Sequence, residues 1–250
     1  MKRLHPLLLA IQFLTVIPVW MPPDLTKTAI GRSLLYYPLV GLLLGGLLVA
    51  AAYLSEWIFN PALAAPLIIA LWVALTGALH LDGFADSVDA WAGGLGSRER
   101  TLALMKDPTS GPMAVVALVL LLLIKTQALG SFLSSNGPLL YLAVPPLLAR
   151  LTVPVLLLCT PYVRPQGLGE VLANHIPRRA AFALCLLLPL LLILAAPILM
   201  LKLLAATALV FIFLRGLMLR RIAGCTGDTV GALVECIELS TLLVLAVHVG

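Results

Sequence analysis

The chain has 250 residues, 62% of them hydrophobic and only 11% charged, with a formal net charge of +5 at pH 7. So few charges cannot cover the outside of a water-soluble globule, so the composition excludes that class and points to a polytopic membrane protein. The excess of Lys and Arg is scattered through termini and loops, which argues against a nucleic-acid partner and for the bias that orients membrane proteins.

The N-terminal stretch, Met1-Lys2-Arg3-Leu4-His5-Pro6 and an apolar run to Trp20, has the outline of a secretion signal. No small-residue cleavage pattern follows it, so it is expected to stay in the mature protein. Its apolar part, residues 7 to 20, holds Gln12 and ends in Pro18 and Pro22-Pro23. An interfacial or re-entrant helix suits it as well as a span does. Apolar runs long enough for roughly 30 Å of hydrocarbon then lie near 33–53, 62–79, 113–134, 138–158, 180–200, 203–219 and 232–249. The expected fold is all-α: one integral membrane domain over residues 1–250, a helical bundle of about seven transmembrane helices plus the N-terminal helix.

Alternating spans bring the basic residues to one side. Lys2, Arg3, Lys27 and Arg32 precede the first full span, and Arg98, Arg100 and Lys106 lie in the loop 80–112. Arg164, Arg178 and Arg179 lie in the loop 160–179, and Arg215, Arg220 and Arg221 come before the last span. The opposite connections offer only Lys202, at an expected tight turn. That asymmetry places the loop 80–112 in the cytoplasm and the C-terminus on the far side. Cys159, Cys185, Cys225 and Cys236 show neither paired nor metal-ligand spacing and are expected to pack as small apolar groups.

Chemistry concentrates in His80-Leu81-Asp82-Gly83-Phe84-Ala85-Asp86-Ser87-Val88-Asp89, which is expected to continue the run 62–79 directly. On a helix, offsets of four and seven return to nearly one azimuth, so Asp82, Asp86 and Asp89 share a face within roughly 60°. Such a stripe repels itself, and Mg²⁺ or Mn²⁺ would relieve it, since these ions prefer hard oxygen ligands completed by water and substrate phosphates. Gly83 leaves room for a ligand to approach the backbone. The competing reading is a solvated loop whose acids pair with Arg98, Arg100 and Lys106. Against it stands Asp228, in Gly224-Cys225-Thr226-Gly227-Asp228-Thr229-Val230-Gly231, again just before a span on the same expected side. His80 is either a ligand or base, or a helix-end cap. Lys125 and Gln127 lie inside a predicted span and are functional candidates unless Lys125 pairs with Glu235 or Glu238, and Arg150 is open in the same way. Arg220-Arg221 fits a topology signal.

These motifs resemble those of the cobalamin synthase family, the membrane adenosylcobinamide-GDP ribazoletransferases. The resemblance runs in order along nearly the whole chain. It is carried by Gln12-Phe13-Leu14-Thr15-Val16-Ile17-Pro18, by Tyr37-Pro38-Leu39-Val40-Gly41, by the block from His80 to Gly94, and by Arg98-Glu99-Arg100 with Met105-Lys106-Asp107. It continues through Thr160-Pro161-Tyr162-Val163-Arg164-Pro165 with Gly167-Leu168-Gly169, and Thr226-Gly227-Asp228 with Gly231-Ala232. Two loops depart from the family pattern, Pro108-Thr109-Ser110-Gly111 and Ala223-Gly224, and neither replaces an acid.

The resemblance implies an enzyme that joins GDP-activated adenosylcobinamide to α-ribazole, or its 5′-phosphate, and releases GMP at the last assembly stage of cobalamin biosynthesis. It implies Mg²⁺, with Mn²⁺ as a substitute. Asp82 and Asp86 would be ligands, Asp89 a ligand or the acceptor of the hydroxyl proton, and Asp228 a further ligand from the opposite helix, with His80 beside them. Gly83, Arg98, Arg100, Lys106, Asp107 and Arg220 would meet the substrate. A homo-oligomer is compatible with all of this. Other magnesium-dependent diphosphate-using membrane transferases fit less well. CDP-alcohol phosphotransferases want Ala-Arg where Ala85-Asp86 stands, and prenyltransferases want two aspartate-rich motifs. A cation transporter would set its acids near the midplane, commonly in repeated halves, and no repeat is found.

Overall fold

The computed structural model describes residues 5–20, 25–107, 109–135, 137–165 and 167–249. Within them the chain is helical: α1 (His5–Leu14), α2 (Lys27–Ser33) running through a 3₁₀ turn into α3 (Tyr37–Ser55), α4 (Pro61–Thr76), α5 (Leu79–Gly93), α6 (Arg98–Leu104), α7 (Pro112–Ser134), α8 (Val144–Cys159), α9 (Leu168–His175), α10 (Arg178–Ala195), α11 (Pro197–Ile222) and α12 (Gly227–Val249). Six helical segments, α2 with α3 counting as one, are long and apolar enough to cross a membrane, or seven if α4 and α5 form one bent span. That matches the all-α polytopic bundle predicted from composition. α1, with 10 residues, reaches only about 15 Å and does not cross.

The run predicted over 62–79 does not lead straight into the acids. α4 starts on an Asn60 side chain that accepts the Leu63 N–H at 3.0 Å, and it stops at Gly77, whose φ of 60° is left-handed. Ala78 follows with φ 56°, and α5 leaves at 91° to α4. Tertiary contact makes this break. The Val16 N–H, just past α1, donates to Leu75 O at 2.9 Å, and a Cβ at Gly77 would stand 2.8 Å from Val16 Cγ1. A helix end inside a bundle needs such partners for its free carbonyls.

A second boundary also differs. The turn expected near Lys202 falls at Ala196, because Pro197 opens α11, where its missing N–H costs nothing. Lys202 lies within α11 and meets His248 Nδ1 at 3.1 Å, which pairs the start of α11 with the end of α12. α12 itself begins at Gly227, ahead of the predicted 232. Almost none of α10 is buried, as expected of a helix facing lipid. The cysteines are all free.

The centre of the bundle is held by charge. Lys125 Nζ of α7 lies 2.6 Å from Glu235 and 2.7 Å from Glu238 of α12, and Glu238 also pairs with Arg150 of α8. Arg150 Nη2 is 3.4 Å from His80 Nδ1, and Lys125 sits 4.9 Å from the centre of the Trp72 ring. All four charged side chains are buried, and two cations balance two carboxylates. The pairing that would make Lys125 structural is therefore the one found. Gln127 is exposed on the opposite side of α7 and takes no part.

Candidate active site

At one end of the bundle, arginines close several helix C-termini. Arg98 Nε donates to Ile222 O at 2.9 Å, Arg221 Nη2 to Trp91 O at 2.9 Å and Arg215 Nη2 to Cys159 O at 2.6 Å. Guanidinium groups suit these carbonyls because the helix dipole is negative there. The acids sit at this end.

α5 and α12 cross at two glycines. A Cβ on Gly83 would stand 2.8 Å from the main-chain oxygen of Asp228, and one on Gly231 would stand 3.1 Å from that of His80. The missing side chains thus bring Asp82 and Asp86, one turn apart on α5, opposite Asp228 in the first turn of α12. That turn is fixed by a reciprocal pair. Thr226 N–H donates to Thr229 Oγ1 at 2.9 Å, and Thr229 N–H to Thr226 Oγ1 at 3.3 Å. Gly83→Ala should force the two helices apart, costing roughly 1–3 kcal/mol as overpacking does. Thermal melting with an activity assay checks this. Unchanged melting and activity would show that the crossing is not tight.

A short parallel bridge delivers the counter-charge. Val163 N–H donates to Cys225 O at 2.9 Å and Cys225 N–H to Pro161 O at 2.8 Å, which carries Arg164 to Asp228. Arg164 Nη1 lies 3.0 and 3.3 Å from the two carboxylate oxygens, and Nη2 reaches Met105 O at 3.1 Å. Tyr162, on the same bridge, lies against Gly169 with its hydroxyl beside Gly227. Burial holds its phenol above the ordinary value, so at neutral pH it is an uncharged donor. Neither Arg164 nor Tyr162 stands out as a site residue in the sequence, where Arg164 counts only toward topology and both toward the resemblance.

The predicted residues divide into two sets. Asp86 is half-buried, close enough to Asp82, Asp228, Arg164 and Asp89 to interact with their charges. Among the described residues, neither the Asp82 nor the Asp86 carboxylate has a hydrogen bond or ion pair, whereas the Asp82 N–H donates to Ala78 O at 2.9 Å. Asp89 is engaged: its oxygens accept the N–H groups of Gly111 and, at 2.9 Å, Ala114, which fastens the start of α7 to α5. His80 is buried behind the acids, facing Arg150. The second set stays apart. Arg100, Lys106 and Arg220 are exposed, Arg98 spends its Nε on Ile222, and Asp107 accepts both the N–H (3.0 Å) and the hydroxyl (2.6 Å) of Thr109. Those bonds hold the Asp107 carboxyl below its usual range. No ion pair among the described residues joins Arg98, Arg100 or Lys106 to the acids, so the solvated-loop pairing is not the one formed.

Beside Asp82 and Asp228 opens a chamber of about 180 Å³. Among the described residues, no three His, Cys, Asp or Glu side chains close into a cage for an ion. A zinc site would need one. Magnesium does not, since it keeps several waters and takes one or two carboxylates plus substrate phosphates. Two unpartnered carboxylates one turn apart, with a third across the groove, are a donor set of that kind.

Comparison with known proteins adds to this geometry. The model of the family described as Cobalamin-5-phosphate synthase matches residues 6–246. The adenosylcobinamide-GDP ribazoletransferase of Stutzerimonas stutzeri (strain A1501) is 53% identical over 246 residues, 98% of this chain and 99% of its own. The protein of that description from Pseudomonas putida (strain GB-1) is 52% identical over 241 residues, 96% of this chain and 98% of its own. That from Pseudomonas aeruginosa (strain UCBPP-PA14) is 49% identical over 252 residues, 98% of this chain and 99% of its own. No solved structure matches the chain.

Proposed function

We propose that this chain, which belongs to the Cobalamin-5-phosphate synthase family, is an adenosylcobinamide-GDP ribazoletransferase. The observation that carries the reading is the crossing of α5 and α12, where free carboxylates face Asp228 and Arg164 at the mouth of a chamber, in a chain similar over nearly its full length to proteins of that description. The reaction is a substitution at phosphorus. A ribose hydroxyl of α-ribazole, or of its 5′-phosphate, bonds to the phosphorus attached to cobinamide, the bond to the bridging oxygen breaks, and GMP leaves.

Asp82 and Asp228, which line the chamber together, would hold Mg²⁺, and Mn²⁺ would replace it. When bound there, the ion neutralises charge on the diphosphate oxygens as GMP departs. Arg164 presents a planar guanidinium, now resting on Asp228, that suits a phosphate in the same way. Asp86, one turn from Asp82 on α5, would take the hydroxyl proton. Asp89, whose two oxygens are taken up by the N–H groups of Gly111 and Ala114, positions α5 against α7. His80 ties the first turn of α5 to the buried ion network. Arg100, Lys106 and Arg220, exposed near the same end, are free to meet the nucleotide phosphates, while Arg98 and Asp107 hold local structure.

The distribution of Lys and Arg supports placing this end at the cytoplasmic face of the inner membrane. A reporter fused after Gly250 should then be exported. A cytoplasmic signal there would show that α4 and α5 do not count as one span. The activity is tested on purified protein in lipid vesicles, where GDP-cobinamide and α-ribazole should yield GMP in step with cobalamin. Cation uptake without GMP formation would favour a transporter and sink the transferase.

A further inference from the structure

The chamber beside the acids is more apolar than a phosphate site requires. Val153 and Leu157 of α8 enter it one helical turn apart, Leu172 of α9 and Leu79 of α5 close it, and Phe13 stands at its wall. Phe13 stacks on Tyr37, with ring centres 6.3 Å apart and planes 26° from parallel, and 39% of Phe13 remains exposed. The volume of about 180 Å³ is decisive for size. A dry cavity of roughly 150 Å³ holds benzene, so this one with an open mouth takes a bicyclic aromatic group and nothing approaching a corrinoid ring.

Granting the transferase reading, three groups compete for this space. The corrinoid is excluded by size. Guanine carries donors and acceptors along its whole edge, and the wall formed by Leu79, Val153, Leu157 and Leu172 offers its acceptors no partner, while Asp82 and Asp228 at the mouth are reserved for the diphosphate end. The base of the ribazole is an uncharged benzimidazole with a single free ring nitrogen, for which the Tyr162 hydroxyl lining the chamber supplies a single donor. It must also lie within one ribose of the phosphorus, and the chamber opens on Asp82 and Asp228. We infer that this chamber is the subsite for the aromatic base of the ribazole acceptor, with Val153, Leu157 and Leu172 setting the size of base accepted and Phe13 offering a stacking face.

The test is a size switch measured on the full chain in lipid vesicles. Val153→Phe fills the chamber, so KM for α-ribazole should rise at least ~10-fold, as for a mismatch of a few methylenes in an apolar pocket. KM for GDP-cobinamide should stay at the wild-type value, and turnover should return with the α-riboside of imidazole, a smaller base. That rescue also shows that the variant is folded. If Val153→Phe is inactive with both acceptors, Leu172→Ala decides, since it enlarges the chamber and should favour the α-riboside of a naphthimidazole over α-ribazole. An unchanged preference among bases in an active variant, or a rise confined to the KM of GDP-cobinamide, overturns the assignment while leaving the transferase reading intact. Wild-type protein that forms no GMP with any acceptor strikes the transferase reading itself.

Discussion

Asp82→Asn should lower turnover by at least about 10²-fold while leaving the protein folded, the order of loss seen when one preorganised electrostatic group is removed from a transition state. Asp82 is exposed to the groove and its carboxylate has no partner within the described residues, so the fold does not depend on its charge. The amide keeps the shape of the side chain but gives up the negative oxygen proposed to hold the ion. Asp86→Asn should behave alike. Steady-state GMP release, with melting of the same preparation, checks both. Wild-type rates in either variant would remove the α5 acids from the site, and a collapsed melting curve would show their role to be structural.

Glu238→Ala should be the most destabilising single change in the bundle. Glu238 is 1% exposed and bridges Lys125 and Arg150, itself 0% exposed, so its removal strands a guanidinium in an apolar interior. Breaking one partner out of a buried ion pair costs roughly 3–5 kcal/mol, whereas replacing both by apolar groups of similar volume is often neutral. The apparent Tm should therefore fall by on the order of 10 °C. The double variant Arg150→Met, Glu238→Leu keeps the Lys125–Glu235 pair and should recover most of that loss. Single and double variants melting together, or a silent single variant, would mean that the network contributes no pairing energy.

Much of this architecture is written in local pattern. Apolar runs fix the number of spans because hydrocarbon thickness sets a minimum length, and a buried Lys125 announces Glu235 or Glu238 because a charge at that depth needs a partner. The spacing of Asp82 and Asp86 places them on one face whatever surrounds them. The misplaced boundaries have identifiable sources. Lys202 is charged and reads in sequence as a loop residue, yet Pro197 is the stronger stop signal. The break at Gly77 and Ala78 depends on Val16, far away in sequence, and no periodicity in residues 62–79 reports it. Arg164 and Tyr162 escape notice for the same reason. Their arrival at Asp228 rests on a main-chain bridge between Tyr162 and Cys225, whose mark in the sequence is only Gly224, where a Cβ would collide with Pro161 O. Conversely, Arg98 and Lys106 lie near the acids in sequence, but Arg98 caps a helix end and Lys106 faces outward.

The most direct measurement is magnetic resonance on purified protein with Mn²⁺ in place of Mg²⁺ and GDP-cobinamide bound. Coordination by Asp82 and Asp228 predicts a bound-ion signal with coupling to the nucleotide's phosphorus that disappears in Asp82→Asn and in Asp228→Asn, and GMP release that stops on exhaustive chelation. A bound ion unaffected by either substitution, or full turnover in the chelated enzyme, would contradict a dication held between α5 and α12.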